Sequence, residues 1–302
     1  MTTSTAHAAT PAAPWTIPRT ESSPFDVVAV TVNYQTREEV LTMLQSLYRD
    51  IAGSGLRVQP VVVDNASGDA VARAVAAQFR GMTPEPVVLH APENLGFGRG
   101  NNLALRQFAA RYYFLVNPDL RFLPESTGTI ARLHAFMEER SEIGVVAPRL
   151  QRPDGSLQPS CMRFPSFFDQ PLHRLNLHQR YPWARRRVER LHMVDVDHTQ
   201  TRPVDWATGA ALFVRADALR DAGHFDERYF MYFEDCDLCR TCWVRGWPVY
   251  YKGDVVVAHG HARASAAVSG LRSLLVNPLT RAHLRSLLQY TWKWRGSRVG
   301  CS

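Results

Sequence analysis

Apolar and polar positions follow a repeating order between residues 25 and 150. Short runs of β-branched apolar residues alternate with longer stretches whose apolar positions lie three or four residues apart. The predicted strands are Val27–Asn33, Val58–Val63, Val87–His90, Tyr112–Val116 and Ile143–Ala147. The predicted helices are Glu38–Arg49, Ala70–Phe79, Asn102–Arg111 and Pro124–Arg140. Because buried strands that alternate with helices are typical of a parallel sheet covered on both faces, we predict a doubly wound, mostly parallel α/β sheet flanked by helices.

The pattern changes after residue 150. Five prolines and a run of arginines interrupt the segment from Gln151 to Arg202, where no regular element is predicted. Further elements are predicted as the strand Ala210–Val214, the helix Ala216–Ala222 and the strand Val249–Tyr251. Residues 1–24 are rich in Ala, Thr and Pro, which is typical of a disordered leader. We therefore predict three parts: a disordered leader over 1–24, a domain over 25–255 and a basic helical tail over 256–302.

Size and charge narrow the class of protein. A chain of 302 residues with 45% hydrophobic residues can bury a sizeable core, and it has no run of the roughly 20 apolar residues that a membrane-spanning helix needs. The formal net charge is +7, and the part from Val255 onward contains seven basic and no acidic residues. Such a tail favours an anionic surface, either lipid headgroups or nucleic acid. An odd number of cysteines and an N-terminus unlike a signal peptide indicate a reducing cytoplasm.

Polar, turn-forming segments follow four of the predicted strands. They are Val32-Asn33-Tyr34, Asp64-Asn65-Ala66-Ser67, the glycine-rich segment Gly96–Asn101 and Asn117-Pro118-Asp119. In a parallel sheet of this kind, ligands bind outside the carboxyl ends of the strands. We therefore expect these four segments to meet at one ligand-binding edge.

Asp119 is a candidate metal ligand at that edge. A hard cation such as Mg²⁺ or Mn²⁺ takes one or two carboxylates and leaves positions for phosphate oxygens. Taken alone, Asp119 is better explained as the cap of the helix predicted from Pro124, and Asp64 has the same ambiguity as part of an ordinary turn. His259 becomes a second candidate ligand only if the fold brings it close to Asp119.

The glycine-rich segment does not match a dinucleotide-binding fingerprint. That fingerprint requires G-x-G-x-x-G after the first strand, whereas Gly96, Gly98 and Gly100 follow the third strand and the last glycine comes one residue early. The backbone amides near Gly100 and Asn101 can still face a nucleotide at the start of a helix.

Glu234 and Asp235 are candidate catalytic acids because four bulky apolar residues, Phe230–Phe233, precede them. Apolar surroundings raise the pKa of a carboxyl group, which brings a general base towards neutral pH. The alternative is a solvated helix start, since acidic residues favour the first turn.

Taken in order, these motifs resemble those of family 2 glycosyltransferases of the GT-A fold, within a bacterial rhamnosyltransferase-like branch. Besides the strand-end segments, the matching motifs are Trp206–Ala210, Gly223–Cys239, His259 with Arg263-Ala264-Ser265, and the tail pattern His283, Ser286, Tyr290, Lys293 and Trp294. The resemblance runs from Val27 to Trp294. It implies a GT-A-like domain with a nucleotide-binding half over 25–150 and an acceptor and catalytic half over 151–255.

The resemblance assigns eight residues to the pocket for a nucleotide-sugar donor. They are Val32, Tyr34, Asp64, Gly100, Asn101, Asn117, Trp206 and Gly209. The first three would contact the nucleoside, and Trp206 and Gly209 would shape the sugar pocket. Asn117 stands where many relatives have the first acid of a D-x-D metal motif, which leaves its own role open.

The resemblance also implies a mechanism. Asp235 would be the catalytic base, Glu234 would orient it or the sugar, and Asp119 and His259 would hold Mg²⁺ or Mn²⁺ on the donor diphosphate. The reaction would be a single inverting displacement. The implied donor is dTDP-rhamnose, or another dTDP- or UDP-sugar. The implied acceptor is a lipid-diphosphate-linked sugar or polysaccharide of the cell envelope. The implied location is the cytoplasm, with peripheral contact at the inner face of the membrane through the basic tail.

Two other classes of protein compete with a glycosyltransferase. A non-catalytic nucleotide-binding module would keep the strand-end motifs, but it would not need Asp235. A nucleic-acid-binding protein would explain the positive charge, but base stacking needs aromatic residues interleaved with the basic ones, and here they coincide only at Trp292–Arg295. We therefore expect no nucleic-acid partner. An ordinary helix packed on the domain is the alternative to a membrane-binding tail.

Overall fold

A twisted mixed sheet with helices on both faces forms the centre of the computed structural model, which describes residues 23–166, 169, 177–260, 277–297 and 299–300. Its strands are β1 (Phe25–Asn33), β2 (Val58–Asp64), β3 (Val87–His90), β4 (Ala110–Val116), β5 (Leu120–Phe122), β6 (Val145–Gln151), β7 (Leu157–Gln158), β9 (Arg202–Pro203), β11 (Ala211–Arg215) and β12 (Val249–His259), and a separate ribbon pairs β8 (Cys161–Met162) with β10 (Trp206–Ala207). The helices are α1 (Arg37–Ile51), α2 (Val71–Gln78), α3 (Phe97–Leu105), α4 (Thr129–Glu138), α5 (Leu177–Arg180), α6 (Pro182–Leu191), α7 (Ala216–Ala222), α8 (Glu234–Val244) and α9 (Pro278–Lys293).

The strand order is β3-β2-β1-β4-β11-β6-β12-β5, with β7 beside β6 and β9 beside β12. Strands β3, β2, β1 and β4 are parallel, whereas β11 runs antiparallel to both of its neighbours. Strand β12 is parallel to β6 and antiparallel to β5. The prediction of a doubly wound, mostly parallel sheet flanked by helices is therefore confirmed.

Alternating residues of the central strands bury opposite faces of the sheet. On β1, Val27 packs with Leu44 and Leu47 of α1, whereas Val28 packs in a second cluster with Leu105 and Leu238. Both valines are fully buried. Because side chains alternate across a strand, a strand covered on both faces becomes a continuous apolar run, as the sequence of β1 shows.

Several predicted boundaries were wrong. The helix predicted over Asn102–Arg111 begins at Phe97 and ends at Leu105, and the helix predicted over Pro124–Arg140 divides into a short 3-10 turn and α4. The proline-rich segment contains α6, and the strand predicted over Val249–Tyr251 continues to His259. The domain boundary predicted after residue 255 therefore falls inside β12.

The predicted basic tail is helical only in part: Val256–His259 belong to β12, and Pro278–Lys293 form α9. Most of the predicted leader and the Arg263-Ala264-Ser265 motif lie outside the described residues. Within the described ranges, no helix combines the length and apolar character that crossing a membrane requires.

Candidate active site

The polar ends of β1 and β2 are joined by side-chain hydrogen bonds. Asn33 and Asp64 are paired in the sheet, and Oγ of Ser67 lies 2.8 Å from Nδ2 of Asn33 and 2.6 Å from Oδ1 of Asp64. Tyr34 follows with an exposed ring, whereas Val32 is partly buried against the core. The three residues assigned to the nucleoside, Val32, Tyr34 and Asp64, therefore lie at one edge of the sheet.

The first turn of α3 packs closely against two neighbouring segments. Gly96 has a φ of +78°, and a Cβ there would lie 1.8 Å from the carbonyl oxygen of Phe230. Gly100 faces β1, where a Cβ would come within 3.0 Å of Val32. The N–H of Gly100 donates to the Gly96 carbonyl, and the side-chain amide of Asn101 donates to a main-chain carbonyl one turn earlier. Glycine at these positions lets α3 approach β1 and the loop before α8.

A carboxylate and an imidazole meet where β5 pairs with β12. His259 lies opposite Leu120, and its Nε2 is 3.1 Å from Oδ1 of Asp119 and 3.2 Å from Nδ2 of Asn117. Its Nδ1 lies within 3.2 Å of the side-chain amide of Gln158. The imidazole is buried, whereas the Asp119 side chain is 28% exposed. The condition set from the sequence for a metal-ligating His259 is therefore met.

This donor set fits a divalent cation bound together with a phosphate. The 3-10 turn at Pro124 has no side-chain cap, which removes the alternative role of Asp119 as a helix cap. No group of three or more His, Cys, Asp or Glu side chains suited to a metal occurs among the described residues. Two protein ligands suffice when phosphate oxygens and water complete the coordination. A second hydrogen bond at the far nitrogen of a ligating histidine fixes its tautomer, and Gln158 is placed to make it.

Glu234 and Asp235 form the first turn of α8, after a strained turn. Tyr232 and Phe233 have φ values of +71° and +69°, which residues other than glycine rarely adopt. Oδ2 of Asp235 accepts a hydrogen bond of 2.8 Å from the N–H of Gly209, and its Oδ1 accepts one of 2.8 Å from the N–H of Cys236. Strain of this kind is retained where the surrounding structure holds it, often at functional sites.

Burial disfavours the charged forms of both carboxyl groups. It raises the pKa of Asp235, although the hydrogen bonds from Gly209 and Cys236 favour the carboxylate. Burial, followed by the neighbouring negative charge of Asp235, raises the pKa of Glu234 well above its usual range. Glu234 is 5% exposed, and its Oε2 has no hydrogen-bond partner among the described residues. The alternative of a solvated helix start is therefore wrong.

Main-chain hydrogen bonds connect the segment that contacts the Asp235 carboxylate to Asn117, beside the candidate metal ligands. The N–H of Asn117 donates to the carbonyl of Ala210. The N–H of Gly209, the residue before Ala210, donates to Oδ2 of Asp235. Trp206 begins the same segment, and its indole N–H donates to the carbonyl of Arg163. The structure thus gathers the residues assigned to the metal, the sugar pocket and the base along one continuous edge.

A sequence profile described as glycosyltransferase like family 2 matches residues 24–273. The chain belongs to this family. It is 30% identical over 222 residues to N-acetylglucosaminyl-diphospho-decaprenol L-rhamnosyltransferase of Mycobacterium tuberculosis, and the match covers 69% of this chain and 68% of the relative. The resemblance to a rhamnosyltransferase-like branch of family 2 is confirmed.

Two solved structures show the same fold. The mannosyltransferase PcManGT from Pyrobaculum calidifontis, in complex with GDP-Man and Mn²⁺, has a TM-score of 0.55 and 14% identity, and the match covers 95% of this chain and 80% of that one. S. aureus TarS 1-349 in complex with UDP-GlcNAc also has a TM-score of 0.55, with 15% identity and 80% of this chain covered. The match spans 61% of that TarS chain. The GT-A fold of this family 2 chain is thereby confirmed.

The C-terminal helix of this family 2 chain adds contacts that sequence analysis did not assign. Nζ of Lys293 lies 2.7 Å from Oδ2 of Asp237 and 2.9 Å from Oδ2 of Asp226. The indole N–H of Trp294 and the hydroxyl of Tyr229 donate to Oδ1 of Asp237 at 2.7 and 3.2 Å. The only sequence signal was the tail pattern that contains Lys293 and Trp294, which indicated a shared role without identifying it. We call these five residues the Asp237 cluster.

Helix α9 also supports the strained turn before the two acids. Oγ of Ser286 donates to the carbonyl of Met231 at 2.9 Å. The ring of His283 lies 4.9 Å from that of Tyr232 and 5.4 Å from that of Phe233. The inner face of α9 therefore packs directly behind the turn that orients Glu234 and Asp235.

Proposed function

We propose that this protein is an inverting glycosyltransferase that moves a sugar from a nucleotide-sugar donor to a glycan acceptor. The observation that carries the proposal is the Asp235 carboxylate, which two main-chain N–H groups orient beside the edge where Asp119 meets His259. A nucleotide-binding module without catalysis does not require a partly buried, oriented carboxylate at this place. Membership of family 2 supports the same reaction class.

Asp235 would act as the general base. It would take the proton from an acceptor hydroxyl as that oxygen forms a bond to the anomeric carbon of the donor sugar. The bond from the anomeric carbon to the diphosphate oxygen would break in the same step, and the nucleoside diphosphate would leave with the bonding electrons. Attack from the face opposite the leaving group inverts the anomeric centre. Glu234, one residue away and buried, would orient Asp235 or the sugar.

Asp119 and His259 would hold Mg²⁺ or Mn²⁺ against the donor diphosphate. A divalent ion bound there supplies positive charge that stabilises the departing diphosphate. Mn²⁺ is present in the PcManGT complex, which supports a divalent ion in this fold. The described chain contributes one carboxylate and one imidazole, and Gln158 would keep Nε2 of His259 directed towards the ion.

The donor pocket would run along the carboxyl ends of β1, β2 and β4. Val32, Tyr34 and Asp64 would contact the nucleoside, and Asn117 would lie beside the diphosphate. Gly100 would act by allowing α3 to close on Val32, and Asn101 by holding the first turn of that helix. Trp206 and Gly209 would shape the sugar pocket. In this arrangement residues 25–150 form the nucleotide-binding half, and residues 151–255 form the acceptor and catalytic half.

The donor we favour is dTDP-rhamnose, and the acceptor is a lipid-diphosphate-linked sugar or a polysaccharide in cell-envelope synthesis. The name of the M. tuberculosis relative specifies L-rhamnose and an N-acetylglucosaminyl-diphospho-decaprenol acceptor, which supports both choices. Such an acceptor is held in a membrane, so the enzyme would work from the cytoplasm, peripherally on the inner face.

Nucleotide selectivity provides the first test. The midpoint of thermal unfolding, Tm, is measured with dTDP, UDP, GDP or NAD, each with Mn²⁺ and with a chelator. A ligand at 100 times its Kd stabilises the fold by about 2.7 kcal/mol, which is readily measured. We expect dTDP to raise Tm only when Mn²⁺ is present. Stabilisation by NAD alone, or by no nucleotide, would contradict the proposed function. A rise in Tm with UDP alone would mean that the donor is a UDP-sugar and not dTDP-rhamnose.

A transfer assay tests the rest of the proposal. We expect release of dTDP from dTDP-rhamnose to depend on a lipid-diphosphate-linked N-acetylglucosamine acceptor, and the new glycosidic bond to have the anomeric configuration opposite to that of the donor. Retention of configuration, read from the product by NMR, would exclude direct displacement.

A further inference from the structure

Helix α9 presents two different faces. Its inner face buries Ser286, Leu287 and Tyr290 against the domain. Leu284, Leu288 and Trp292 are 38%, 52% and 71% exposed. Positions separated by four residues lie above one another on a helix, so these three side chains form one exposed apolar stripe.

Basic residues flank this stripe. Arg281, Arg285 and Arg295 are exposed positions of the same segment, and the guanidinium of Arg295 lies 3.7 Å from the centre of the Trp292 ring. Residues 277–297 contain no Asp or Glu. We call Leu284, Leu288 and Trp292, together with these three arginines, the outer face of α9. Leucine and tryptophan side chains bordered by arginines are typical of helices that lie in the headgroup region of a bilayer.

Charge complementarity selects the partner of this face. A second copy of the chain would bring one set of arginines against the other, and like charges in contact oppose association. An anionic bilayer instead attracts each cation near its surface, and the leucines and tryptophan can enter the headgroup layer.

The position of α9 gives this contact a consequence for catalysis. Its inner face holds the carbonyl of Met231 through Ser286, three residues before Glu234. A helix with its side chains is about 10 Å across, so a surface on the outer face lies one helix diameter from the turn that leads into the two acids. A lipid surface at this place would carry a diphosphate-linked acceptor close to Asp235.

We propose that the outer face of α9 docks the enzyme on an anionic lipid surface and so presents membrane-held acceptors to Asp235. This proposal rests on the proposed function for its acceptor, but the docking itself can be measured without donor or acceptor.

The test is co-sedimentation of the full-length protein with vesicles of phosphatidylcholine alone or of phosphatidylcholine mixed with phosphatidylglycerol. We expect binding only to the mixed vesicles, and we expect it to weaken as salt is added. The variant Leu288→Gln/Trp292→Gln should reduce the partition coefficient at least tenfold. Arg285→Gln/Arg295→Gln should reduce it by more than tenfold on mixed vesicles, because each cation removed near an anionic surface weakens binding by roughly fivefold.

A matched control is available on another helix. Trp183 of α6 is 59% exposed and is followed by three arginines, Arg185–Arg187. Trp183→Gln should leave vesicle binding unchanged. An equal loss in Trp183→Gln, no binding of the wild-type protein to mixed vesicles, or equal binding to duplex DNA would each overturn the proposal.

A second readout separates this proposal from the transferase assignment. The Tm shift with dTDP and Mn²⁺ should be the same in the wild-type protein and in Leu288→Gln/Trp292→Gln. Vesicle binding without any nucleotide response would contradict the transferase and leave docking standing. A rise in Tm with dTDP and Mn²⁺ but no vesicle binding would contradict docking and leave the transferase assignment standing.

Discussion

Nε2 of His259 lies 3.1 Å from Oδ1 of Asp119, which joins the last residue of β12 to the turn after β4. The side-chain amide of Gln158 lies within hydrogen-bond distance of the other imidazole nitrogen, Nδ1, so the ring is held with Nε2 towards the Asp119 carboxylate. If these two side chains provide the protein ligands of a divalent ion, loss of either removes half of the protein's share of the coordination.

We therefore predict that Asp119→Asn and His259→Ala each abolish the dependence of nucleotide binding on metal. In both variants, dTDP should change Tm by the same small amount with Mn²⁺ as with a chelator. In the wild-type protein with Mn²⁺, dTDP at 100 times its Kd should raise the free energy of unfolding by about 2.7 kcal/mol, with a corresponding rise in Tm. The control is Asp254→Asn, which removes a 48% exposed carboxylate from the same strand. A metal-dependent shift that survives in Asp119→Asn would remove Asp119 from the site.

The hydrogen bonds that orient Asp235 lead to a second prediction. Asp235→Asn removes the proton acceptor, and loss of a general base lowers kcat by about 10²- to 10⁴-fold. Asparagine keeps the size of the side chain, but its NH₂ group meets a main-chain N–H of Gly209 or Cys236, so we also expect a small loss of stability. The Kd of dTDP with Mn²⁺, measured by calorimetry, should stay within a few-fold of the wild-type value. Wild-type kcat in this variant would show that another group takes the proton.

The pH dependence of kcat should reflect the burial of Asp235. Burial raises the pKa of this carboxyl group above the ordinary value of about 3.9 for aspartic acid. A base must be deprotonated, so kcat should fall as pH decreases through the raised pKa, at a higher pH than a solvent-exposed Asp would give. A kcat that stays constant down to the ordinary range of aspartic acid would contradict this prediction.

Glu234 should reduce the stability of the protein at neutral pH. Its pKa is raised in the folded state, so its contribution to stability is full below the unfolded pKa of about 4.3 and is lost as pH rises through the raised value. Glu234→Gln copies the neutral form. We therefore expect its Tm to exceed that of the wild type above the raised pKa, and the difference to vanish in acid. A gain of about 1 kcal/mol corresponds to roughly 2–4 °C in a domain of this size.

The control for this prediction is Glu139→Gln, because the Glu139 side chain is 70% exposed. It should give no pH-dependent gain in Tm. A Tm for Glu234→Gln that is lower than the wild-type value at neutral pH and equal to it in acid would mean that the charged form of Glu234 stabilises the fold.

Local sequence was enough to predict the alternation of strands and helices along the chain. It was also enough to predict that the candidate site residues meet at one edge of the sheet. Asp64 and Asp119 each follow an apolar run, and the ends of parallel strands meet at one edge. The start of α3 could not be predicted in this way, because Gly98 and Gly100 are poor helix formers. They are helical because each allows a close approach, to Phe225 and to Val32.

Long-range packing explains the remaining differences. Strand β12 shifts register between Lys252 and Val256, and a Cβ at Gly253 would lie 2.5 Å from the carbonyl oxygen of His198. In the sequence, Gly253-Asp254 is indistinguishable from a turn that ends a strand. The contact of Lys293 with Asp226 joins residues far apart in the chain, and no local pattern specifies it.

The Asp237 cluster leads to a last prediction, which concerns stability. Asp237 is 2% exposed, and Lys293 is the cation that faces it. Burial raises the pKa of Asp237, and the charge of Lys293 opposes that rise. Lys293→Met would leave a buried carboxylate without its counter-ion, and loss of one partner from a buried pair destabilises a protein by about 3 kcal/mol. We expect this loss in chemical denaturation at neutral pH, and we expect it to shrink in acid as Asp237 is protonated.

The same pair permits a strict control, because the chain contains only two lysines. Lys252 pairs with Asp254, whose side chain is 48% exposed, so Lys252→Met should cost at most about 1 kcal/mol. In the double variant Lys293→Met/Asp237→Asn, removal of the unpaired charge should restore part of the stability lost in Lys293→Met. If the losses in Lys293→Met and in Asp237→Asn simply add in the double variant, the two side chains are not coupled.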